Sequence, residues 1–281
     1  MVRRSGLAEN THGLGAHDHA CWRYEEAREF HAHVREFLSD GLARGYRVWY
    51  TASGDVTALA GDLRGIDGID EALASGAAQV SSLDTQYPVG APIDPAAQVR
   101  AYAEATQEAL AAGFTGLRVA ADCTPLVGTP EQLDAFARYE HLVDHYMTSS
   151  PLSGMCGYAS DAVDEQAFGQ VACMHPNTNS PSPGFRLYAA GDDGTALGGE
   201  TDLVPGELFS LALVRAGLRP RDGRIVLEAG GLEFLDHNSL LRLAGHAADR
   251  DALLVLRTSW PGAARLVDLL DLTNVRVEAA S

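Results

Sequence analysis

No lysine occurs anywhere in the 281 residues, and all 21 basic side chains are arginine. That absence removes whole chemistries: a Walker phosphate loop, a Schiff-base lysine and a Ser-x-x-Lys nucleophile all need the missing amine. Positive charge is scarce as well, since 38 acidic residues leave a net charge of −17. Phosphate backbones repel so acidic a chain, so no direct nucleic-acid partner is expected. No apolar run approaches the roughly 20 residues that a membrane span requires. The opening Met1–Asn10 stretch also lacks the apolar core of a signal peptide. The expectation is a cytoplasmic protein with no membrane partner. Cysteine is sparse: Cys21, Cys123, Cys156 and Cys173 stand far apart with no Cys-x-x-Cys pair, so they read as reduced thiols. There is no Gly-x-Ser-x-Gly elbow and no supported pair of acidic residues, so no catalytic residue is assigned and an enzyme is not expected.

What is present is a globular balance, 46% hydrophobic against 21% charged, in a chain long enough for two cores. Apolar residues at Phe30, Val34, Phe37, Leu38 and Leu42 make a helical stripe within 24–43, and Val48–Ala52 follows as a strand. Helices are expected over 55–63, from Asp94-Pro95 to 112, from Thr129-Pro130 to about 147 and over 164–173. Strands are expected at 78–83, 116–122 and 155–158. Strands alternating with long helices imply an α/β fold with a mostly parallel sheet covered on both faces. His175–Gly184, with three prolines and small polar residues, reads as a linker. We therefore divide the chain into 1–178, a linker at 179–184 and 185–281, and expect each half to fold alone. The second half reads as a hairpin (185–190, 195–200) and then helix 204–216, strand 224–228, helix 239–249, strand 252–256, helix 261–270 and strand 275–278. That order makes a small mixed sheet with helices.

Four groups of residues are candidates for chemistry. His17, His19 and Cys21 alternate on an extended segment and so point to one side, where their donors could converge on a metal or haem. His175, Cys156 and Cys173 could complete such a site if the last strand runs beside the first. Lining an organic-ligand pocket, or simple packing, are the other readings of His19 and Cys21. Arg118 lies on a strand read as buried and needs a partner, for which Glu140 and Asp122 are candidates, or else it anchors a ligand carboxylate. Trp22, Tyr24, Trp49 and Tyr158 could wall an apolar pocket. His141 and His145 have chelating spacing but lack the metalloprotease glutamate, so a solvated helix face is expected there.

Two resemblances sharpen this. Gly199-Glu-Thr-Asp-Leu203 and Leu232-Glu-Phe-Leu-Asp236, set in the order of elements above, resemble the STAS domain of anti-sigma-factor antagonists over about 184–281. The resemblance implies a binding module whose partner is an anti-sigma factor or switch kinase, with Asp236, His237, Asn238 and Ser239 as its partner-binding loop. In that family a Ser or Thr of this loop is phosphorylated; alignment on Asp236 and Leu240 places Asn238 at the acceptor position. The first half resembles the MEDS (methanogen/methylotroph sensory) domain over about 14–178. The likeness rests on His19-Ala-Cys-Trp-Arg-Tyr24, Gly41-Leu-Ala-Arg-Gly45, Gly113-Phe-Thr-Gly-Leu-Arg-Val119, Tyr139-Glu140, Cys156-Gly-Tyr158 and His175-Pro176. It implies a RecA-like α/β sensory domain without an ATP-binding loop. The expected ligand-binding residues are His19, Cys21, Trp22, Tyr24, Arg118 and Glu140; the ligand and any cofactor are unknown.

The expectation is therefore a signalling regulator in which a small-molecule sensor controls a STAS module. The alternative is a metal- or haem-dependent redox sensor or enzyme built on His17, His19 and Cys21.

Overall fold

The computed structural model describes residues 5–87, 90–191, 194–202 and 206–280. The first half runs β1 (Gly6–Leu7), β2 (His19–Tyr24), α1 (Ala27–Ala43), β3 (Arg47–Ala52), α2 (Val56–Asp62), α3 (Ile69–Ser75), β4 (Ala78–Ser82) and α4 (Leu83–Gln86). It continues α5 (Pro95–Ala111), β5 (Leu117–Asp122), α6 (Pro130–Ser149), β6 (Leu152–Ala159), α7 (Glu165–Ala172) and β7 (Asn177–Thr178). Helix starts fall where the sequence supplies caps. Asp55, Asp94, Thr129 and Asp164 each accept a backbone N–H of the first turn, and proline opens α5 and α6.

The strands form one parallel sheet in the order β1-β7-β2-β6-β5-β3-β4, an α/β architecture as expected. Alternation along the strands sorts side chains onto two faces. Ala20, Trp22, Tyr24, Val48, Tyr50, Ala120 and Met155 pack with Phe30, Val34, Phe37 and Leu38 of α1. Cys21, Val119, Ala121, Cys156 and Tyr158 face the other way, toward Phe136 and Val143 of α6 and Phe168 of α7. Gly157 lets α1 approach β6, since a Cβ there would lie 2.3 Å from Phe30 Cζ.

The second half runs β8 (Phe185–Ala190), β9 (Gly194–Glu200), α8 (Gly206–Ala216), β10 (Arg224–Glu228), β11 (Leu232–Phe234), α9 (His237–Ala248), β12 (Leu253–Arg257), α10 (Gly262–Leu269) and β13 (Val275–Glu278). These strands make a smaller mixed sheet. β8 is antiparallel to β9, and the parallel strands follow in the order β11-β9-β10-β12-β13. The expected hairpin and βα repeats are present, with β11 an unforeseen short strand before Asp236. Leu203 of the Gly-Glu-Thr-Asp-Leu motif and the expected helix start at Val204 lie outside the described residues.

Two sequence expectations give way here. His175–Thr178 does not belong to a linker. His175 is fully buried, and Asn177 and Thr178 pair with Ala20 and Cys21 of β2, because the edge of that strand needs backbone partners. Nor does His141 lie on a solvated face, although its neighbour His145 is half-buried. His141 is fully buried 3.1 Å from His145, and burial first, then His145, pushes its pKa down to about 4. The reason is that α6 lies between the two sheets. It packs against β6 on one side and against β8 and α8 on the other. Phe185, Leu187, Phe209 and Leu213 of the second half accordingly share one apolar cluster with Phe136, Val143 and Phe168 of the first. Polar links reinforce it: Leu187 N–H donates to Cys173 O at 2.6 Å, and Arg215 Nε lies 3.0 Å from Asp134 Oδ1.

Candidate functional site

The face of the large sheet that meets α6 holds a fully buried polar cluster. His19 opens β2, Glu140 and Asp144 sit one turn apart on α6, Cys156 lies mid-way along β6, and His175 follows α7. His19 Nε2 is 3.2 Å from Glu140 Oε2, and His19 Nδ1 is 3.3 Å from Asp144 Oδ1. Cys156 Sγ lies 3.5 Å from His19 Nε2 and 3.6 Å from Glu140 Oε2. His175 Nε2 is 3.4 Å from Glu140 Oε1, the two imidazoles are tilted 40° to each other with centroids 4.0 Å apart, and Tyr158 donates its hydroxyl to Glu140 Oε1 at 2.6 Å.

Burial by itself disfavours charge here, yet the partners outweigh it. His175 and His19 hold Glu140 well below the usual carboxylate range. Asp144, Cys156 and Glu140 together raise His19 well above the ordinary histidine value. The hydrogen bond to Cys123, then burial, then the Glu140 charge push the Cys156 thiol up. The cluster is therefore a set of mutually dependent charges, costly to disturb singly.

Beside it lies a narrow cavity of about 30 Å³ walled by His19, Cys156, Tyr102, Phe136, Tyr139 and Met147. Its walls are mostly apolar, with Thr51 and Gln98 also among them; it has room for a water or a very small ligand and is far too small for a porphyrin.

The sequence-derived residues divide between the sheet's two faces. Of the expected ligand-binding set, His19, Cys21 and Glu140 lie on the α6 face, with Cys21 buried opposite Cys156 in the β2–β6 register. Trp22 and Tyr24 point the opposite way, as alternation requires; Trp22 packs on His33, and Tyr24 stacks on Phe30 and donates to Asp122 at 3.0 Å. Arg118 also faces α1. Its partners are Asp40 and the Leu14 carbonyl, with Phe37 under its guanidinium, and neither Glu140 nor Asp122. The trio His17, His19 and Cys21 does not converge, because His17 precedes β2 and its Nδ1 bonds the Met147 and Ser150 carbonyls at the end of α6. Of the three residues named to complete such a site, Cys156 reaches His19 because β6 runs beside β2, and His175 because the chain leads from it into β7 on the other side of β2, whereas Cys173 stays outside the cluster with its thiol on the Gln170 carbonyl. Asp144 was missed. Its signal was the i, i+4 spacing from Glu140, which puts both carboxylates on one helix face.

In the second half Asp236 caps α9, its Oδ1 accepting Asn238 N–H at 2.8 Å and Ser239 N–H at 3.2 Å. Thr201 donates its hydroxyl to Asp236 Oδ2 and accepts the Asp236 N–H, both at 3.1 Å. His237 and Asn238 are exposed, whereas Ser239 is buried. Among the described residues no helix is long and apolar enough to cross a membrane.

Comparison with known families covers β2 to β6 of the first sheet. Residues 18–176 match the family described as MEDS, the methanogen/methylotroph, DcmR sensory domain. No curated protein matches the chain. The match opens one residue before His19 and closes one residue after His175, so it encloses every residue of the buried cluster, and it covers more than half of the chain. The chain belongs to the MEDS sensory-domain family.

Proposed function

We propose that this protein is a signalling regulator whose sensory half responds to a small ligand at the cavity beside His19 and Cys156. The second half, read as a STAS-like module, carries the response to a protein partner, an anti-sigma factor or switch kinase. The role is binding rather than catalysis, and the partner is a protein rather than nucleic acid, in keeping with the net charge of −17. Support for the STAS reading comes from the Gly199–Asp202 stretch, the Asp236 cap with its Thr201 partner, and a mixed sheet opened by a hairpin.

One observation carries the coupling. Asp144 touches His19 with Oδ1 and accepts the Ala189 N–H of β8 with Oδ2 at 2.7 Å. A ligand that displaces His19 therefore reaches the second sheet through a single carboxylate. Ligand binding shifts the arrangement of β8 only if it favours one position of Asp144 over another. The test uses the full chain and its Asp144→Asn variant as baits in extracts of the native host, with partners identified by mass. The expected result is an anti-sigma factor or switch kinase on the wild type and recovery changed severalfold on the variant. Equal recovery on both baits removes the coupling; recovery of neither class of protein removes the partner assignment.

A further inference from the structure

We infer that His19, Glu140, Cys156 and His175 form a closed, four-ligand site for a divalent transition metal of the zinc class. Their donor atoms all lie within 4.8 Å of one another and come from four separate segments of chain. Zinc–nitrogen and zinc–oxygen bonds near 2.0 Å and zinc–sulfur near 2.3 Å give a tetrahedron with edges of about 3.3–3.6 Å. The observed separations are 3.2 Å for His19 Nε2 to Glu140 Oε2, 3.5 Å for His19 Nε2 to Cys156 Sγ and 3.6 Å for Glu140 Oε2 to Cys156 Sγ. Three edges of the polyhedron are thus already in place.

The surrounding bonds orient both imidazoles as metal ligands are oriented. His175 Nδ1 lies 2.9 Å from the Val171 carbonyl, an acceptor only, so the ring carries its proton there and turns Nε2 toward Glu140. His19 Nδ1 faces Asp144, which the Ala189 N–H fixes in turn, so His19 also presents Nε2. A carboxylate or carbonyl behind each histidine, and a hydroxyl on the ligating carboxylate from Tyr158, is the usual outer support of a metal centre. Both Nε2 atoms and the Glu140 carboxylate thus converge on one buried point. His175 Nε2 makes only the 3.4 Å approach to Glu140 Oε1 there. A cation resolves that convergence. One thiolate, two imidazoles and one carboxylate are a borderline-soft set, suited to zinc and its neighbours rather than to magnesium or calcium. The bound ion displaces the Cys156 proton, and a dication with Cys156 thiolate and Glu140 carboxylate is neutral. All four positions are taken by protein, so the site suits holding the fold or sensing the metal rather than activating water.

The test loads the chelator-treated full-length protein with Co(II). The expected result is one equivalent bound, tetrahedral-intensity visible bands, a near-ultraviolet thiolate charge-transfer band, and displacement of all three by Zn(II). Cys156→Ser abolishes the charge-transfer band, while Cys123→Ser and His17→Ala keep it. Asp144→Asn weakens binding by about 10–100-fold. Failure of the wild type to take up stoichiometric Co(II), a charge-transfer band surviving in Cys156→Ser, or loss of binding in His17→Ala overturns the site. Should Cys156→Ser not fold, the wild-type spectrum still decides, because a bound ion without a thiolate band excludes Cys156. None of these readouts involves the partner protein, so the metal site and the regulatory reading fail separately.

Discussion

Arg118 and Gly157 show how single side chains are set by the face they occupy. Arg118 is buried with Asp40, Phe37 and the Leu14 carbonyl on the side of the sheet away from the His19 cluster. Burial lowers its pKa, and the Asp40 carboxylate opposes that fall. Replacing it leaves Asp40 without its cation, so Arg118→Met should cost about 3 kcal/mol, the lower end for breaking a buried pair, because Asp40 keeps some contact with water. Urea denaturation measures the loss; unchanged Co(II) uptake by the folded variant would separate this structural role from ligand binding. At Gly157 the added methyl of Gly157→Ala meets the buried Phe30 ring, and overpacking of that kind costs about 1–3 kcal/mol. Phe30→Leu should recover part of it in the double variant. A double variant no more stable than Gly157→Ala would mean that the strain lies elsewhere.

The loop into α9 and the end of that helix make separate predictions. Asn238 occupies the exposed acceptor position without a hydroxyl, and Ser239 is buried with its N–H bonded to Asp236 Oδ1. Incubation with the partner kinase and ATP should therefore leave the intact mass unchanged, whereas Asn238→Ser should gain a phosphate beside Asp236. A stoichiometric phosphate on wild-type Ser239 would show that the acceptor has moved by one residue and that the helix start opens. Near the other end, burial and then Arg250 hold His246 below the ordinary histidine value. The unfolded chain takes up a proton near pH 6.5 before the folded one does, so the contribution of this group is present above that pH and is lost as pH falls toward the lower folded value. Wild-type urea midpoints should drop more between about pH 7 and pH 5 than those of His246→Gln. Parallel pH profiles would dismiss the effect.

For the molecule as a unit, the shared packing around α6 governs stability. Phe185, Leu187, Phe209 and Leu213 lose apolar neighbours if residues 185–281 are cut away, and Arg215 loses Asp134. We predict one cooperative unfolding transition for the full chain and a lower urea midpoint for the excised 185–281 fragment. Two separated transitions, or a fragment as stable as it is in the whole, would restore the expectation of independent folding. Helix and strand positions were legible because caps such as Asp94-Pro95 and Thr129-Pro130 and apolar periods of 3.6 or 2 are local properties of the chain. Cys156 and His175 were legible as companions of His19 on the guess that the last strand of the first half runs beside the first, but the same guess added Cys173, which stays outside the cluster. Three things depended on contacts between distant segments. They are the partition of Trp22, Tyr24 and Arg118 away from His19, the burial of His141, and the role of Asp144. The sequence by itself determined the α/β order, the acidity and the absence of lysine chemistry, since each is written in neighbouring residues or in composition. Only the tertiary structure decided which donors converge, because α6 packed between two sheets makes both of its sides interior, and no local period encodes a helix with two buried faces.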